Sequence, residues 1–415
     1  MHVDELRGRR IAIWGFAREG QAALRFLRER DPGMALTVLD DSDARDIDAP
    51  LVSGRASIAA AISGFDVVVK SPGISLYDPL VAKARADGVR FTSLLNLWFA
   101  DAPTCRTICV TGTKGKSTTT ALIAHILRGV GRNAVAAGNI GVPVTELPRD
   151  GLDVAVIEVS SYQAADFCGR CDIAVLTSLS QEHLDWHGSI AVYHRDKLNL
   201  LRHARCSLIH RDALEAVSAE LDLAGLDHAT FAAGSELQVN NRYLDRAHNR
   251  SNLAGALAVA RLLGVDTADA LRAAADFPAL PHRQQEIGEI DGVLYVDDSI
   301  STTPEATIAA LEVYRERAVT VIIGGHDRGI DYDGLVGRLK AEPKPGVVLL
   351  DASGRRIHDL LGAGTPADSM HEAVTLAQAI TPRGGVILLS PAAPSYGRYR
   401  SFVERGKDFA RCAGL

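Results

Sequence analysis

The sequence predicts an α/β protein of three domains. Short apolar runs alternate with helical patterns nearly from end to end, which is the mark of βαβ units on mostly parallel sheets. At 415 residues, the chain exceeds the roughly 250–300 at which a single core stops growing. A strand, a glycine-rich loop and a helix also follow one another over residues 107–128, in the order that wraps a polyphosphate.

The first block spans residues 1–102, with strand-like runs at 10–14, 37–40 and 67–70. Gly15-Phe-Ala-Arg-Glu-Gly20 follows the first run and Asp40-Asp41-Ser42 the second, as in a Rossmann-like half. There a glycine turn receives a diphosphate and an acid receives the nucleoside, which makes Gly15 and Asp40 candidates. Ala17 replaces one glycine of G-x-G-x-x-G, so a dinucleotide cofactor is not expected. Ala102-Pro103 closes the block. The second, residues 103–278, carries runs at 107–111, 154–159 and 173–177 and helical patterns at 119–128 and 253–263. Pro278-Ala-Leu-Pro281 reads as a short stiff linker. The third block, residues 279–415, repeats the α/β pattern with runs at 293–297, 318–323, 347–350 and 385–390.

Composition removes several function classes. With 47% hydrophobic and 23% charged residues, the chain matches an ordinary globular enzyme and not a disordered one. A net charge of −6 gives no general basic field for nucleic acid or a membrane surface. No stretch approaches ~20 apolar residues, and the start of the chain is charged where a signal peptide is apolar, so a cytoplasmic protein is expected. The six cysteines are expected to be buried thiols. Cys168 and Cys171 form a C-x-x-C, but no second pair stands at zinc spacing.

Gly112-Thr113-Lys114-Gly115-Lys116-Ser117-Thr118 is the strongest signal. Backbone N–H groups and the helix end would hold the phosphates, Lys116 would neutralise terminal phosphate charge and the Ser117 hydroxyl would take Mg²⁺. Gly112 and Gly115 enclose two residues where the P-loop pattern has four, so this is not a standard Walker loop. Glu158 closes the next apolar run at a strand end, where open α/β sheets form their ligand crevice, and Mg²⁺ is the natural partner of an acid placed there.

The loop resembles that of the Mur ligase superfamily, and the resemblance continues in family order down the whole chain. In Val156-Ile-Glu-Val-Ser-Ser-Tyr162 it implies that Glu158 binds magnesium. In Ser180-Gln-Glu-His-Leu-Asp-Trp-His187 it makes His183 a metal ligand, while His187 has no match and reads as a surface or packing histidine. Tyr193-His-Arg-Asp-Lys-Leu198 places Lys197 where the family carries a carbamylated, metal-bridging lysine. Gly138-Asn-Ile-Gly-Val-Pro143 matches Asn139 and Gly141 to the nucleotide-linked substrate, and Ser71-Pro-Gly-Ile74 resembles a turn beside the UDP site. His248-Asn-x-x-Asn252 resembles the element facing adenine, giving Asn249, with helix capping as the competing reading. The stretch from Phe231 to His248 is shorter than in typical members, which touches a peripheral hairpin.

In the third block, Pro281-His-Arg283 implies an arginine on the ATP phosphates, and Asp298 in Asp297-Asp-Ser-Ile-Ser-Thr-Thr303 matches the acid associated with the ribose. Ile300 stands where most members have lysine. Thr302, Arg328 in Gly324-Gly-His-Asp-Arg-Gly329, Ser395 in Ser390-Pro-Ala-Ala-Pro-Ser395, and Phe402 match glutamate-site positions, with Arg328 in place of a lysine. These two departures look like the variant branch of the MurD family that adds L-glutamate instead of D-glutamate.

The resemblance implies a cytoplasmic, monomeric ligase acting on two small molecules, UDP-N-acetylmuramoyl-L-alanine and glutamate, with ATP and Mg²⁺ and without nucleic acid or membrane insertion. The carboxylate would take the γ-phosphoryl of ATP, and the amine would then displace phosphate. Lys116, His183 and Lys197 would be the catalytic residues. A folylpolyglutamate synthase shares the loop but not the Gly-Asn-Ile-Gly and Ser-Pro-Ala-Ala-Pro elements, and a regulator that had lost catalysis would not need Lys116, Glu158, His183, Lys197 and Arg283 together. No N-K-x-D segment supports a GTPase.

Overall fold

The structure, a computed structural model, describes residues 1–42, 47–180, 182–217, 226–232, 237 and 239–415. The chain forms two compact units, Met1–Phe277 and Pro278–Leu415. Among the described residues, two sheets lie in the first and one in the second.

The first sheet is parallel in the order β3-β2-β1-β4-β5, built from β1 (Ile11–Trp14), β2 (Leu36–Asp40), β3 (Leu51–Ser53), β4 (Val67–Lys70) and β5 (Arg90–Thr92). Ile11, Ile13, Val67 and Val69 pack into one core, while Ala12, Trp14, Leu39 and Val68 pack into another. A strand buried on both faces reads as a continuous apolar run, which is why β1 and β4 are legible in sequence.

The second sheet is also parallel, in the order β11-β10-β9-β6-β8-β7: β6 (Arg106–Thr111), β7 (Ala134–Gly138), β8 (Val154–Glu158), β9 (Cys171–Leu176), β10 (Ala204–His210) and β11 (His228–Phe231). Strand order reverses around β6, so the loop after it opens at the position where open α/β sheets bind ligands. The third sheet runs β12-β13-β17-β14-β15-β16, from β12 (Gln285–Ile290), β13 (Val293–Asp297), β14 (Val319–Gly324), β15 (Gly346–Leu350), β16 (Thr365–Ala367) and β17 (Val386–Leu389). Only β12 is antiparallel. Val321, Ile323 and Val347 face one core, and Ile322, Val348 and Leu350 the other.

The two sheets of the first unit are tied by side chains. Lys70 is buried and paired with Asp166 at 3.2 Å, Gln163 Nε2 donates to Glu19 Oε1 at 2.6 Å, and Arg25 meets Glu146 at 2.9 Å.

Some expectations are corrected. The helix Ala247–Leu262 begins before residue 253 and carries Asn249 inside it, with Arg246 as its N-cap, so Asn249 does not cap it. His187, expected at the surface or in packing, is 2% exposed and so takes the packing role. Among the cysteines Cys109 and Cys171 are buried but Cys168 is exposed. The shortened stretch between Phe231 and His248 falls partly outside the described residues.

Candidate functional site

The loop after β6 is shaped by its glycines and by the segment after β9. Gly112 and Gly115 have φ of 148° and 86°. A Cβ at Gly112 would lie 2.0 Å from Thr177 Oγ1, and one at Gly115 would lie 2.3 Å from Asn252 Oδ1, so both spacing and backbone demand glycine. Thr113 N donates to Ser178 O at 2.9 Å, Lys114 N to Ser178 Oγ at 2.8 Å, and Thr177 Oγ1 to Lys114 O at 2.6 Å. The helix Lys116–Gly129 starts at once, with Ser117 and Thr118 buried in its first turn. Lys116 Nζ is held by Thr113 O at 2.9 Å.

Glu158 and Lys197 reach this loop from distant segments, and Asn139 and Gly141 stand beside Glu158. Glu158 ends β8 beside β6, in register with Val110, and is 2% exposed. Asn139 Nδ2 donates to its Oε1 at 2.8 Å, whereas Oε2 is buried without a hydrogen-bond partner among the described residues. Gly141 closes the adjacent turn, donating to Gly138 O at 3.1 Å. Lys197, on the helix Ile190–Arg202, is fully buried and donates to Gly112 O at 2.9 Å. Burial, aided by the Lys116 charge, holds its amine well below the usual lysine range, although Glu182 and Glu158 oppose the shift.

His183 has φ 56° and opens the short helix Leu184–His187. Its Nδ1 lies 3.0 Å from Tyr162 Oη and its Nε2 3.7 Å from Glu182 Oε2, and Glu182 in turn pairs with Lys114 at 3.1 Å. Asn249 is buried, its Nδ2 donating to Tyr243 O at 2.9 Å and its Oδ1 accepting from Asn252 Nδ2 at 3.0 Å.

In the first sheet, Gly15 follows β1 and Ser71 follows β4. Ser71 Oγ donates to Gly15 O at 2.5 Å, and Phe16 N donates to Asp40 Oδ2 at 2.6 Å. Burial works to raise the Asp40 carboxyl, but hydrogen bonds from Ser42 and Phe16 outweigh it and hold it below the ordinary value. Gly15, Asp40 and Ser71 therefore form one crest.

In the second unit, Asp298 is buried and accepts from Ser301 Oγ at 2.6 Å, Ser390 Oγ at 2.8 Å and Gln284 N at 3.1 Å. Burial still pushes its carboxyl up to about 6, against these bonds and the Arg283 charge. Arg328 NH2 donates to Thr302 O at 3.0 Å, joining two predicted glutamate-site residues. Ser395 is buried next to a cleft lined by His326, Asp351, Tyr396 and Arg398, and Phe402 O accepts from Ser299 Oγ at 2.8 Å.

The raised Asp298 carboxyl has a signed consequence. Folding retains a proton that the unfolded chain releases between its usual value of 3.8 and about 6, so stability from this group is full below the lower value and lost as pH rises through the upper. Urea unfolding of the full chain at pH 4 to 7 is expected to show this slope, and Asp298→Asn should remove up to about 3 kcal/mol of it. An unchanged slope in the variant would contradict the burial argument.

Sequence reasoning missed several supports. Tyr193, one turn before Lys197, bonds Thr113 Oγ1 at 2.8 Å and lies under the Lys197 amine; the i, i+4 spacing carried that signal. Arg405 is 2% exposed and donates to Ser299 Oγ and O, Gly324 O and Ala393 O, clamping three strand-end loops of the second unit. No local pattern marked it.

Residues 110–260 match the Mur ligase middle domain and residues 282–393 the glutamate ligase domain of Mur ligases. Over 454 aligned positions, covering 100% of this chain and 97% of the relative, it is 42% identical to UDP-N-acetylmuramoyl-L-alanine--L-glutamate ligase of Xanthomonas euvesicatoria pv. vesicatoria (strain 85-10). The chain belongs to the Mur ligase family. Relatives of the same description in Xylella fastidiosa (strain Temecula1 / ATCC 700964) and in a Micromonospora species are 38% and 42% identical, over 100% and 99% of this Mur ligase and 97% of each relative. Among solved structures, UDP-N-acetylmuramate-alanine ligase MurC from Thermotoga maritima superposes with a TM-score of 0.61 at 19% identity, covering 97% of this chain and 98% of that one. MurF ligase from Thermotoga maritima, in complex with ADP, gives 0.60 at 15% identity, with coverage of 99% and 95%. At those identities the likeness is one of fold. Among the described residues, no helix is long and apolar enough to cross a membrane.

Proposed function

We propose that this Mur ligase joins UDP-N-acetylmuramoyl-L-alanine to L-glutamate in the cytoplasm, acting as a monomer with ATP and Mg²⁺. Residues 1–102 would hold the UDP end through Gly15, Asp40 and Ser71, residues 103–278 the ATP, and residues 279–415 the glutamate. The observation that carries the reading is the buried Glu158 Oε2, a carboxylate oxygen without a hydrogen-bond partner among the described residues, at the strand end beside the phosphate loop. An acid so placed is costly unless a cation completes it.

Ser117, Glu158, His183 and Lys197, the last as its carbamate, would hold Mg²⁺, which supplies charge neutralisation on the phosphoryl oxygens. Among the described residues no three His, Cys, Asp or Glu side chains form a ready metal cage, and Mg²⁺ commonly takes only one or two carboxylates with phosphate and water. Gly112, Thr113, Lys114, Gly115 and Thr118 cradle the phosphates by backbone and helix end, Lys116 and Arg283 carry the countercharge, and Asn249 and Asp298 receive the nucleoside. The alanyl carboxylate oxygen attacks the γ-phosphorus and ADP leaves. The glutamate amine then attacks the acyl carbon, releasing phosphate. Asn139 and Gly141 place the first substrate, and Thr302, Arg328, Ser395 and Phe402 the second. No side chain acts as nucleophile, since positioning and charge suffice for phosphoryl transfer.

The L-isomer is favoured by Ile300 and Arg328, where most members carry lysine, and by the description of the relatives at 38–42% identity. An Arg fork grips a carboxylate through two parallel bonds in a fixed direction, unlike a lysine point charge. Leaving out ATP, the UDP substrate or glutamate one at a time tests the reaction: steady turnover to ADP and a product heavier by one glutamyl residue should occur only in the complete mixture, and without glutamate ADP should stop at about one per enzyme. ADP release without the UDP substrate would point to a different reaction.

The buried, weakly basic Lys197 amine suits carbamylation, because carbon dioxide adds to the neutral form. Lys197→Ala should lose about 10²- to 10³-fold in kcat and regain part of it with formate or acetate. Failure of every short acid would remove the carbamate from the proposal.

A further inference from the structure

One chain of side chains outside the assigned residues, buried except at Tyr77, which is 43% exposed, joins three separate segments of the first unit. Ser161 Oγ lies 3.0 Å from His187 Nε2, and His187 Nδ1 lies 2.8 Å from Asp196 Oδ2. Tyr77 Oη lies 2.7 Å from both Asp196 oxygens. Arg195 also faces this cluster, 2.7 Å from Tyr77 Oη and 3.3 Å from Asp196 Oδ1. The carboxylate can only accept, so Tyr77 and His187 Nδ1 donate to it, and Nε2 shares the remaining hydrogen bond with the Ser161 hydroxyl.

A Ser–His–Asp set is the constellation of nucleophilic hydrolases. Here Ser161, His187 and Asp196 are 3%, 2% and 4% exposed, which leaves no room for a substrate at the serine. The places where the chain ends matter more. Ser161 follows Glu158 by three residues and starts the helix Ser161–Ala165, whose capping box is built by Ser160 and Gln163. Asp196 directly precedes Lys197. Tyr77 extends the Ser71-Pro-Gly-Ile turn, which is pinned twice more: Trp186 Nε1 donates to Pro72 O at 3.1 Å and Ser75 Oγ to Trp186 O at 2.9 Å.

Neighbouring helix residues are separated by about 100° around the axis, so holding Asp196 by charge-assisted bonds on one side fixes the rotation that aims Lys197 on another. Burial and the Asp196 carboxylate push the Tyr77 phenol up to about 12, which keeps it a donor at working pH.

We infer that Tyr77, Asp196, His187 and Ser161 form a positioning relay that sets the Lys197 helix against the strand end carrying Glu158 and ties both to the Ser71 turn. The inference rests on the metal and substrate roles proposed above. It gives the first sheet a part in presetting a cation site on the second, with Tyr77 as the link.

Calorimetric titration of ATP at a series of Mg²⁺ concentrations tests it on the full chain, using Tyr77→Phe, His187→Leu and His187→Asn. Partners lying behind metal ligands are worth 10- to 100-fold, so Tyr77→Phe and His187→Leu should raise the Mg²⁺ concentration for half-maximal ATP binding by about that factor. His187→Asn retains an N–H near the Nδ1 position and should restore most of the loss. Thermal unfolding of each variant separates this from loss of fold, and Tyr77→Phe alone decides if His187→Leu does not fold. An unchanged Mg²⁺ requirement in folded Tyr77→Phe, or His187→Asn as damaging as His187→Leu, would overturn the relay. Because the readout is binding, absence of glutamate ligation would count against the proposed reaction and not against the relay.

Discussion

Replacing Lys116 by alanine is expected to lower kcat by about 10³-fold, roughly 4 kcal/mol of transition-state stabilisation, while the protein stays folded. The size follows from its place. Lys116 is the first residue of the helix that opens the phosphate loop, where the helix end and the ammonium act on the same phosphoryl charge. The stability half follows from its contact. Its Nζ donates to a Thr113 carbonyl 2.9 Å away, a hydrogen bond to a neutral acceptor whose loss costs about 1 kcal/mol. Rapid-quench measurement of ADP formation together with thermal unfolding checks both. A small change in kcat, or a collapse of the fold, would contradict the assignment.

For Glu158→Gln, activity and stability should move in opposite directions. Loss of the carboxylate charge should cut turnover by about 10²- to 10⁴-fold at low Mg²⁺. In metal-free buffer the variant should unfold at a higher temperature than the parent, because a buried anionic oxygen without a hydrogen-bond partner among the described residues is replaced by a neutral amide. Asn139 can continue to donate to the remaining carbonyl oxygen, so packing is kept. Scanning calorimetry without metal, paired with assays across Mg²⁺ concentrations, separates the two effects. Equal loss of stability and activity would mean that Glu158 is a structural acid only.

These two residues were legible in sequence for one physical reason. In parallel α/β sheets the chemistry sits at strand ends, and strands buried on both faces announce themselves as apolar runs, so Glu158 and Lys116 could be placed by counting from the ends of 154–159 and 107–111. Strands without that burial were not legible. Gln285–Ile290 has two isoleucines three positions apart among polar residues and glycine and is partly exposed along its length, and Leu51–Ser53 and Arg90–Thr92 are three-residue edges of their sheet.

Illegible for a different reason were the supports. Tyr77 and Asp196 are 119 positions apart, and Arg405 reaches Ser299 across 106; nothing local announces either meeting. His187 shows the same limit, since a lone histidine in a polar segment gives no sign that it will be buried between a serine and an aspartate. Asn249 was placed by motif, but the helix start was read too late because Ala247 to Asn252 is polar, and its burial comes from packing against the phosphate-loop helix through Asn252 and Thr119.

The most direct test of the proposed reaction is ADP release by the purified protein with ATP, Mg²⁺ and UDP-N-acetylmuramoyl-L-alanine, run in parallel with L-glutamate and with D-glutamate. Turnover confined to L-glutamate is the predicted result and would place Ile300 and Arg328 in the choice of isomer. Turnover confined to D-glutamate would contradict it, leaving the Mur ligase chemistry of Lys116 and Glu158 intact but the reading of the glutamate pocket wrong.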